Sequence, residues 1–164
     1  MPDGTRYDDD FLLWTQEQAS LLRAERAARS NIAIDWENLA DEIETLGRSQ
    51  QRELATRLIR TLEHLLKLAF STATAPRNGW IDTLKEQRRE IMLLIKQNPS
   101  LRSTVAATVD EIAGSTRQDT AEALARYGED ASAAAVLSGA YPEVEMRVLD
   151  RDFIPHPPDP STSV

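Results

Sequence analysis

Apolar residues recur every three or four positions through the first half of the chain, which is the spacing of one face of an α-helix. The series comprises Leu39, Ile43, Leu46, Leu54, Leu58, Leu62, Leu65 and Ala69. Asp35 precedes it, where a carboxylate can accept hydrogen bonds from the free amides of a first helical turn. The pattern predicts a helix from 36 to 70, and no stretch of the chain shows the alternation of a strand.

Gly47 divides this predicted helix into two halves. On a helical wheel, Leu39, Ile43 and Leu46 face one direction, whereas Leu58, Leu62, Leu65 and Ala69 face another, roughly 120° away at ~100° per residue. Glycine costs about 1 kcal/mol inside a helix. The sequence leaves two alternatives open: the helix breaks or bends near Gly47, or one continuous helix packs against two different neighbours.

Similar patterns predict the remaining helices. They run from about Asp8 to Arg29, from Gly79 to Gln97 with Asn78 as a cap, from Leu101 to Tyr127 with Ser100 as a cap, and from Ala131 to Ser138. An apolar segment from Met146 to Ile154 is expected to dock on them. We therefore predict an all-α fold, an antiparallel bundle of four main helices plus a short C-terminal helical segment. Residues 1–154 would form one domain, and 155–164 a disordered tail rich in proline and serine.

Composition restricts the location and the partners. The absence of cysteine excludes disulfides and thiolate zinc sites and suits a reducing compartment. The N-terminal residues lack a secretory signal pattern, and no apolar run is long enough for a membrane span, so a cytoplasmic protein is expected. The net charge of −8 is uneven: 1–47 carry −7, 48–102 carry +6 and 103–164 carry −7. The basic middle segment favours either complementary packing between helices or a nucleic-acid surface.

Several polar residues fall on or beside the apolar stripes and form the predicted polar network. Its members are Gln18, Asn38, Glu42, Gln87 and Arg88, with an expected ion pair between Glu42 and Arg88. A buried network would tie three helices together. The alternatives are a polar cleft for a small ligand and a protein–protein interface, including a homodimer.

Catalytic motifs are absent from the sequence. A di-iron bundle needs Glu-x-x-His on two helices, and neither of the two histidines has that glutamate. No nucleophile elbow or phosphate-binding glycine loop occurs. His64 with Glu42 remains a weak candidate for a single metal, so we assign no catalytic residue, no metal ligand and no cofactor.

Motifs spread along the chain resemble a known family. They are Tyr7-x-x-Asp10-Phe11-x-x-Trp14, Asp35-x-x-Asn38-Leu39-x-x-Glu42-Ile43-Glu44-x-Leu46-Gly47, Leu62-Glu63-His64-Leu65-Leu66-Lys67, Trp80 with Glu86-Gln87-Arg88, Asn98-Pro99-Ser100-Leu101-Arg102, Tyr141-Pro142-Glu143 and Asp152-Phe153-x-Pro155. In this order they resemble the bacterial domain-of-unknown-function family number 29. The resemblance implies a small all-helical bacterial protein without an assigned activity, and it supplies no site residues.

These observations favour a non-enzymatic, self-associating interaction or regulatory module, with a homo-oligomer or a protein partner and no membrane. Two alternatives remain. One is a small-ligand or metal site around Glu42, His64 and Arg88. The other is nucleic-acid binding through the basic segment 48–102.

Overall fold

A computed structural model describes residues 4, 6–27, 32–139, 141 and 143–156. Its helices are α1 (Phe11–Ala27), α2 (Trp36–Phe70), α3 (Arg77–Gln97), a 3-10 helix (Pro99–Thr104), α4 (Val105–Arg126), α5 (Asp130–Leu137) and α6 (Glu143–Met146). The described residues contain no strand, so the all-α prediction is confirmed. The four longest helices match the four that were predicted, while their antiparallel packing stays a prediction.

The starts of α1 and α3 differ from prediction, whereas the start of α2 agrees with it. Asp8 and Asp9 precede α1, and the Oδ1 atom of Asp10 accepts a hydrogen bond from the Leu13 amide at 2.9 Å. Asp10 is thus the cap and not part of the first turn. Asn78 lies inside α3, which begins at Arg77. Asp35 does cap α2 as predicted, since its Oδ1 accepts from the Asn38 amide at 3.2 Å.

Helix α2 is continuous over 35 residues, so of the two alternatives at Gly47 the unbroken helix is the one observed. Gly47 is buried against α1, and a β-carbon placed there would overlap the Thr15 hydroxyl and lie 3.2 Å from Leu12 Cδ1. Glycine is present because α1 approaches the α2 backbone here, and the cost of one glycine is small beside the packing of a long helix.

Contacts among the residues divide the chain into two compact units. The first comprises Met1–Leu54 and Met92–Val105. Its core is made mainly of α1, the first half of α2 and the end of α3, with small residues where helices approach closely. The buried apolar side chains are Leu12, Ala19, Ala40, Leu54, Leu94, Ile95, Leu101 and Val105.

The second unit comprises Ala55–Ile91 and Ala106–Val164. A leucine-rich core from the second half of α2 packs with α3, α4 and the C-terminal segment. Its buried apolar side chains include Leu58, Leu62, Leu65, Leu66, Leu84, Ile91, Val109, Ile112, Leu124, Val136, Val144, Val148 and Phe153. The C-terminal apolar segment docks in this unit, as predicted.

The tail was predicted to begin at Pro155. Pro155 is buried, and its carbonyl accepts a hydrogen bond from Arg77 Nη2 at 2.6 Å. The rest of the predicted tail, from 157 to 164, lies outside the described residues. The single domain over 1–154 stays a prediction.

Candidate functional site

The first-unit members of the predicted polar network are not buried together. Gln18 is half-buried on α1, whereas Asn38 and Glu42 are exposed on α2. Asn38 is occupied locally, because its Nδ2 donates to the capping carboxylate of Asp35 at 2.6 Å. Burial of Asn38 and Glu42 was wrongly predicted, since α1 packs on the other side of α2, where Gly47 permits close approach.

Gln87 and Arg88, the second-unit members, are buried as a polar network requires. Gln87 accepts a long hydrogen bond of 3.5 Å from Arg57 Nη1. Arg88 is 4 % exposed, yet its acceptors are main-chain carbonyls rather than a carboxylate. Its Nε donates to Val148 at 2.9 Å, its Nη1 to Phe153 at 2.9 Å and its Nη2 to Arg147 at 3.2 Å.

The prediction that Arg88 pairs with Glu42 is therefore wrong, because Arg88 binds main-chain carbonyls instead. A guanidinium carries five N–H donors in a planar fork, and three successive donors match three carbonyls of the folded C-terminal segment. Burial lowers the pKa of Arg88 to about 10, so the side chain still carries its charge at neutral pH. Arg88 acts as a structural clamp on the C-terminal segment.

His64 has the surroundings of a structural histidine. It is half-buried, and its Nδ1 lies 2.8 Å from the Arg60 carbonyl oxygen, one turn earlier on α2. Desolvation lowers the pKa of His64 below its ordinary value, which favours the neutral ring. Among the described residues, no three histidine or carboxylate side chains are grouped to hold a metal ion. The metal alternative gains no support.

Several of the eleven basic residues of 48–102 make contacts inside their own units. Arg57 approaches Glu90 to within 4.0 Å, Lys67 pairs with Glu63, and Arg77 donates to the carbonyls of Leu68 and Pro155. Together with the clamp made by Arg88, these contacts agree with complementary packing inside the protein. They occupy these four basic side chains inside the protein, while the net charge of +6 on the segment is unchanged.

A ridge of half-exposed apolar side chains on α2 is the strongest candidate interaction surface. We call Leu39, Ile43 and Leu46 the α2 seam. Leu39 is 41 % and Leu46 54 % exposed, and Ile43 is half-buried. The steps of four and three residues are those of the a and d positions of a coiled coil. Leu39 and Leu46 share one face as the wheel indicated, but that face is exposed, and it is Ala40 and Gly47 that are buried.

The ion pairs between α1 and α2 lie on the flank of α2 opposite the seam, which α1 leaves uncovered. Arg23 of α1 donates to Asp41 at 2.7 Å and to Glu44 at 2.8 Å, and Arg26 pairs with Glu37. Both acceptors of Arg23 raise its pKa. These pairs are largely exposed and so contribute little to stability. Their positions show which side of α2 faces α1.

A buried polar pair at the start of α1 was missed from the sequence. Asp10 and Asn98 are 6 % and 1 % exposed. Asp10 caps α1 and also accepts from the Ser100 amide at 2.6 Å, while the Asn98 Oδ1 accepts from the Leu12 amide at 3.0 Å. The signal was the sequence Asn98-Pro99-Ser100, because asparagine before proline is a common helix boundary. Only the fold brings it to Asp10.

We expect Asp10→Ala to lower the free energy of unfolding by about 1–3 kcal/mol, since it removes a cap and leaves two partly buried amides without their acceptor. Urea denaturation measures the change. Asp8→Ala is the matched control, because Asp8 is exposed, and it should change stability by less than about 0.5 kcal/mol. Equal effects of the two substitutions would contradict the role assigned to Asp10.

No helix of the described residues combines the length and the apolar character that crossing a membrane requires. No curated protein matches the sequence. The fold is similar to the crystal structure of an alpha-helical protein of unknown function from Rhodospirillum rubrum. The TM-score is 0.63 at 21% sequence identity, over 87% of this chain and 97% of that chain. This likeness concerns the fold alone.

The resemblance noted from the motifs is confirmed over nearly their whole extent. Residues 6–153 match the family described as "Domain of unknown function DUF29". The matched range includes the α2 seam, the buried pair Asp10 and Asn98, and the Arg88 clamp. The chain belongs to the DUF29 family, whose function is unknown.

Proposed function

We propose that this protein is a non-enzymatic module that associates with a second copy of itself through the α2 seam. The observation that carries the proposal is the exposure of Leu39 and Leu46 on a helix whose opposite flank is already occupied. Exposed apolar side chains at coiled-coil spacing are the pattern that a partner helix covers. The absence of cysteine suits the bacterial cytoplasm as the place where this occurs.

The distribution of exposed apolar side chains favours the first unit as the interface. Of the fourteen large apolar side chains exposed among the described residues, nine belong to that unit. Ile32 and Ile34, just before α2, are both among them. They extend the apolar surface beyond the seam itself, toward the area of about 800 Å² per partner that a specific interface needs.

A second copy fits the seam because the seam is self-complementary. When two α2 helices cross in antiparallel directions at Ile43, Leu39 of one copy lies beside Leu46 of the other. Such a two-fold arrangement uses the same patch twice and closes after two subunits. The seam is short, so we expect a dimer with a dissociation constant on the order of micromolar.

The test is sedimentation velocity over a concentration series. We expect the wild-type protein to dimerise and Leu39→Glu to be monomeric, because a carboxylate would be buried in the interface. Ile59→Glu is the matched control, since Ile59 lies on the same helix, in the second unit, and is 39 % exposed. It should dimerise as the wild type does. A wild-type monomer at about 100 μM, well above the expected dissociation constant, would refute the proposal.

A further inference from the structure

An open cavity of about 380 Å³ lies in the first unit, where the chain enters α1. Its lining consists of Tyr7, Asp8, Phe11, Gln50, Gln97 and Asn98. The volume is within the range of small-molecule sites. None of these residues belongs to the α2 seam, so the cavity is a separate feature from the proposed dimer interface.

Aromatic rings form one wall of this cavity. Tyr7 and Phe11 meet edge to face, with ring centroids 5.3 Å apart and an interplanar angle of 78°. Trp14 braces Tyr7 from behind in the same manner, at 5.0 Å and 81°. This packing fixes the Tyr7 ring, although much of its surface remains open to solvent. A fixed and accessible aromatic face attracts cations through its quadrupole.

The polar groups of the cavity also favour a cation. The Asp8 carboxylate is exposed at the rim, and the amide side chains of Gln50, Gln97 and Asn98 line the remainder. The oxygens of Asn98 and Gln50 already accept hydrogen bonds, from the Leu12 amide at 3.0 Å and from Asn98 Nδ2 at 3.5 Å. A carboxylate attracts either cation by its charge, and its oxygens also accept hydrogen bonds from a guanidinium, whereas a quaternary ammonium has no N–H to donate. Gln97 makes no side-chain hydrogen bond with any described residue, so its amide is available.

An anion has much less to bind here, even though a helix begins nearby. Free amides at a helix start ordinarily attract anions. Here the Leu12 amide is taken by Asn98 and the Leu13 amide by Asp10. The buried Asp10 carboxylate adds a further negative charge. We infer that this cavity binds a small organic cation, a quaternary ammonium or a guanidinium group, between the Tyr7 ring and Asp8.

Choline and methylguanidine are suitable probes, titrated separately up to about 10 mM, above the dissociation constant expected for one aromatic–cation site. Binding is followed by two-dimensional NMR of the full chain. We expect saturable shifts of the Tyr7, Phe11 and Gln97 signals with at least one probe. 3,3-Dimethyl-1-butanol, the neutral isostere of choline, should bind about fivefold more weakly or not at all. Whichever probe binds identifies the ammonium or the guanidinium as the preferred head group.

Substitutions at two exposed residues, Tyr7 and Asp8, test the proposed contacts. Asp8→Asn and Tyr7→Leu should each weaken binding by about fivefold or more, while Tyr7→Phe, which keeps the ring, should retain it. Their melting temperatures verify folding. Binding by neither probe, equal binding of the neutral isostere, or affinity unchanged in both Asp8→Asn and Tyr7→Leu would overturn the inference. Dimer formation is measured separately with Leu39→Glu, so failure of one proposal leaves the other standing.

Discussion

Arg88→Met is expected to lower the free energy of unfolding by about 3–5 kcal/mol, the cost of breaking a buried hydrogen-bonded charge site. The substitution keeps most of the side-chain length but removes the donors for the carbonyls of Arg147, Val148 and Phe153. A buried carbonyl without a partner costs about 1–3 kcal/mol. Chemical denaturation followed by circular dichroism measures the loss. Limited proteolysis should show earlier cleavage near 147–153.

Arg89→Met is the matched control for Arg88. Arg89 is the next residue on α3, but it is exposed and pairs with Glu90 on its own helix. Its replacement should change stability by less than about 0.5 kcal/mol. Arg88→Lys should recover only part of the loss, because one ammonium cannot reproduce the planar fork. If Arg88→Met lies within about 1 kcal/mol of the wild type, the clamp does not hold the segment.

Gly47→Ala is expected to destabilise the protein, although the same exchange stabilises an exposed helix by about 1 kcal/mol. The new methyl group would overlap the Thr15 hydroxyl. This hydroxyl donates a hydrogen bond to the Leu12 carbonyl oxygen at 2.7 Å. Overpacking of this kind costs about 1–3 kcal/mol, and Gly47→Val should cost more. Thermal unfolding and urea denaturation report the change.

Gly114→Ala is the control, because its expected effect on stability has the opposite sign. Gly114 lies inside α4, and nothing lies within 4 Å of a β-carbon there. It should be neutral or stabilising by up to about 1 kcal/mol. The double variant Thr15→Ala with Gly47→Ala should be more stable than the sum of the single changes predicts, because the overlapping hydroxyl is gone. A stabilising Gly47→Ala would disprove the close approach of α1.

Local signals in the sequence predicted the helices well because they act over a single turn. Asp35 caps α2 through the amide three residues later, and Asn98 precedes the proline that ends α3. The leucines from Leu58 to Leu66 are buried as their spacing indicated. The family resemblance likewise followed from ordered motifs and is confirmed over residues 6–153.

The partners of the polar residues could not be predicted from the sequence. Arg88 was predicted to pair with Glu42. A helical wheel shows which residues share a face, but it cannot show the main-chain carbonyls of a distant segment that Arg88 contacts. The Asp10 contact with Ser100 joins residues 90 positions apart, and no periodicity encodes such a pairing. When a charged side chain such as Arg88 bonds to main-chain carbonyls, the sequence contains no oppositely charged residue that would identify its partner.

The sequence alone determined an all-helical chain, with the cap of α2, the leucine-rich core of the second unit and the family. Helix spacing and capping are local properties, so a short stretch specifies them. Only the tertiary structure decided that α2 passes unbroken through Gly47 and that Leu39 and Leu46 remain exposed. The reason is that α1 packs closely against α2 at Gly47, which has no side chain to block the approach. That choice of face depends on steric fit between two helices and cannot be read from the apolar pattern of either.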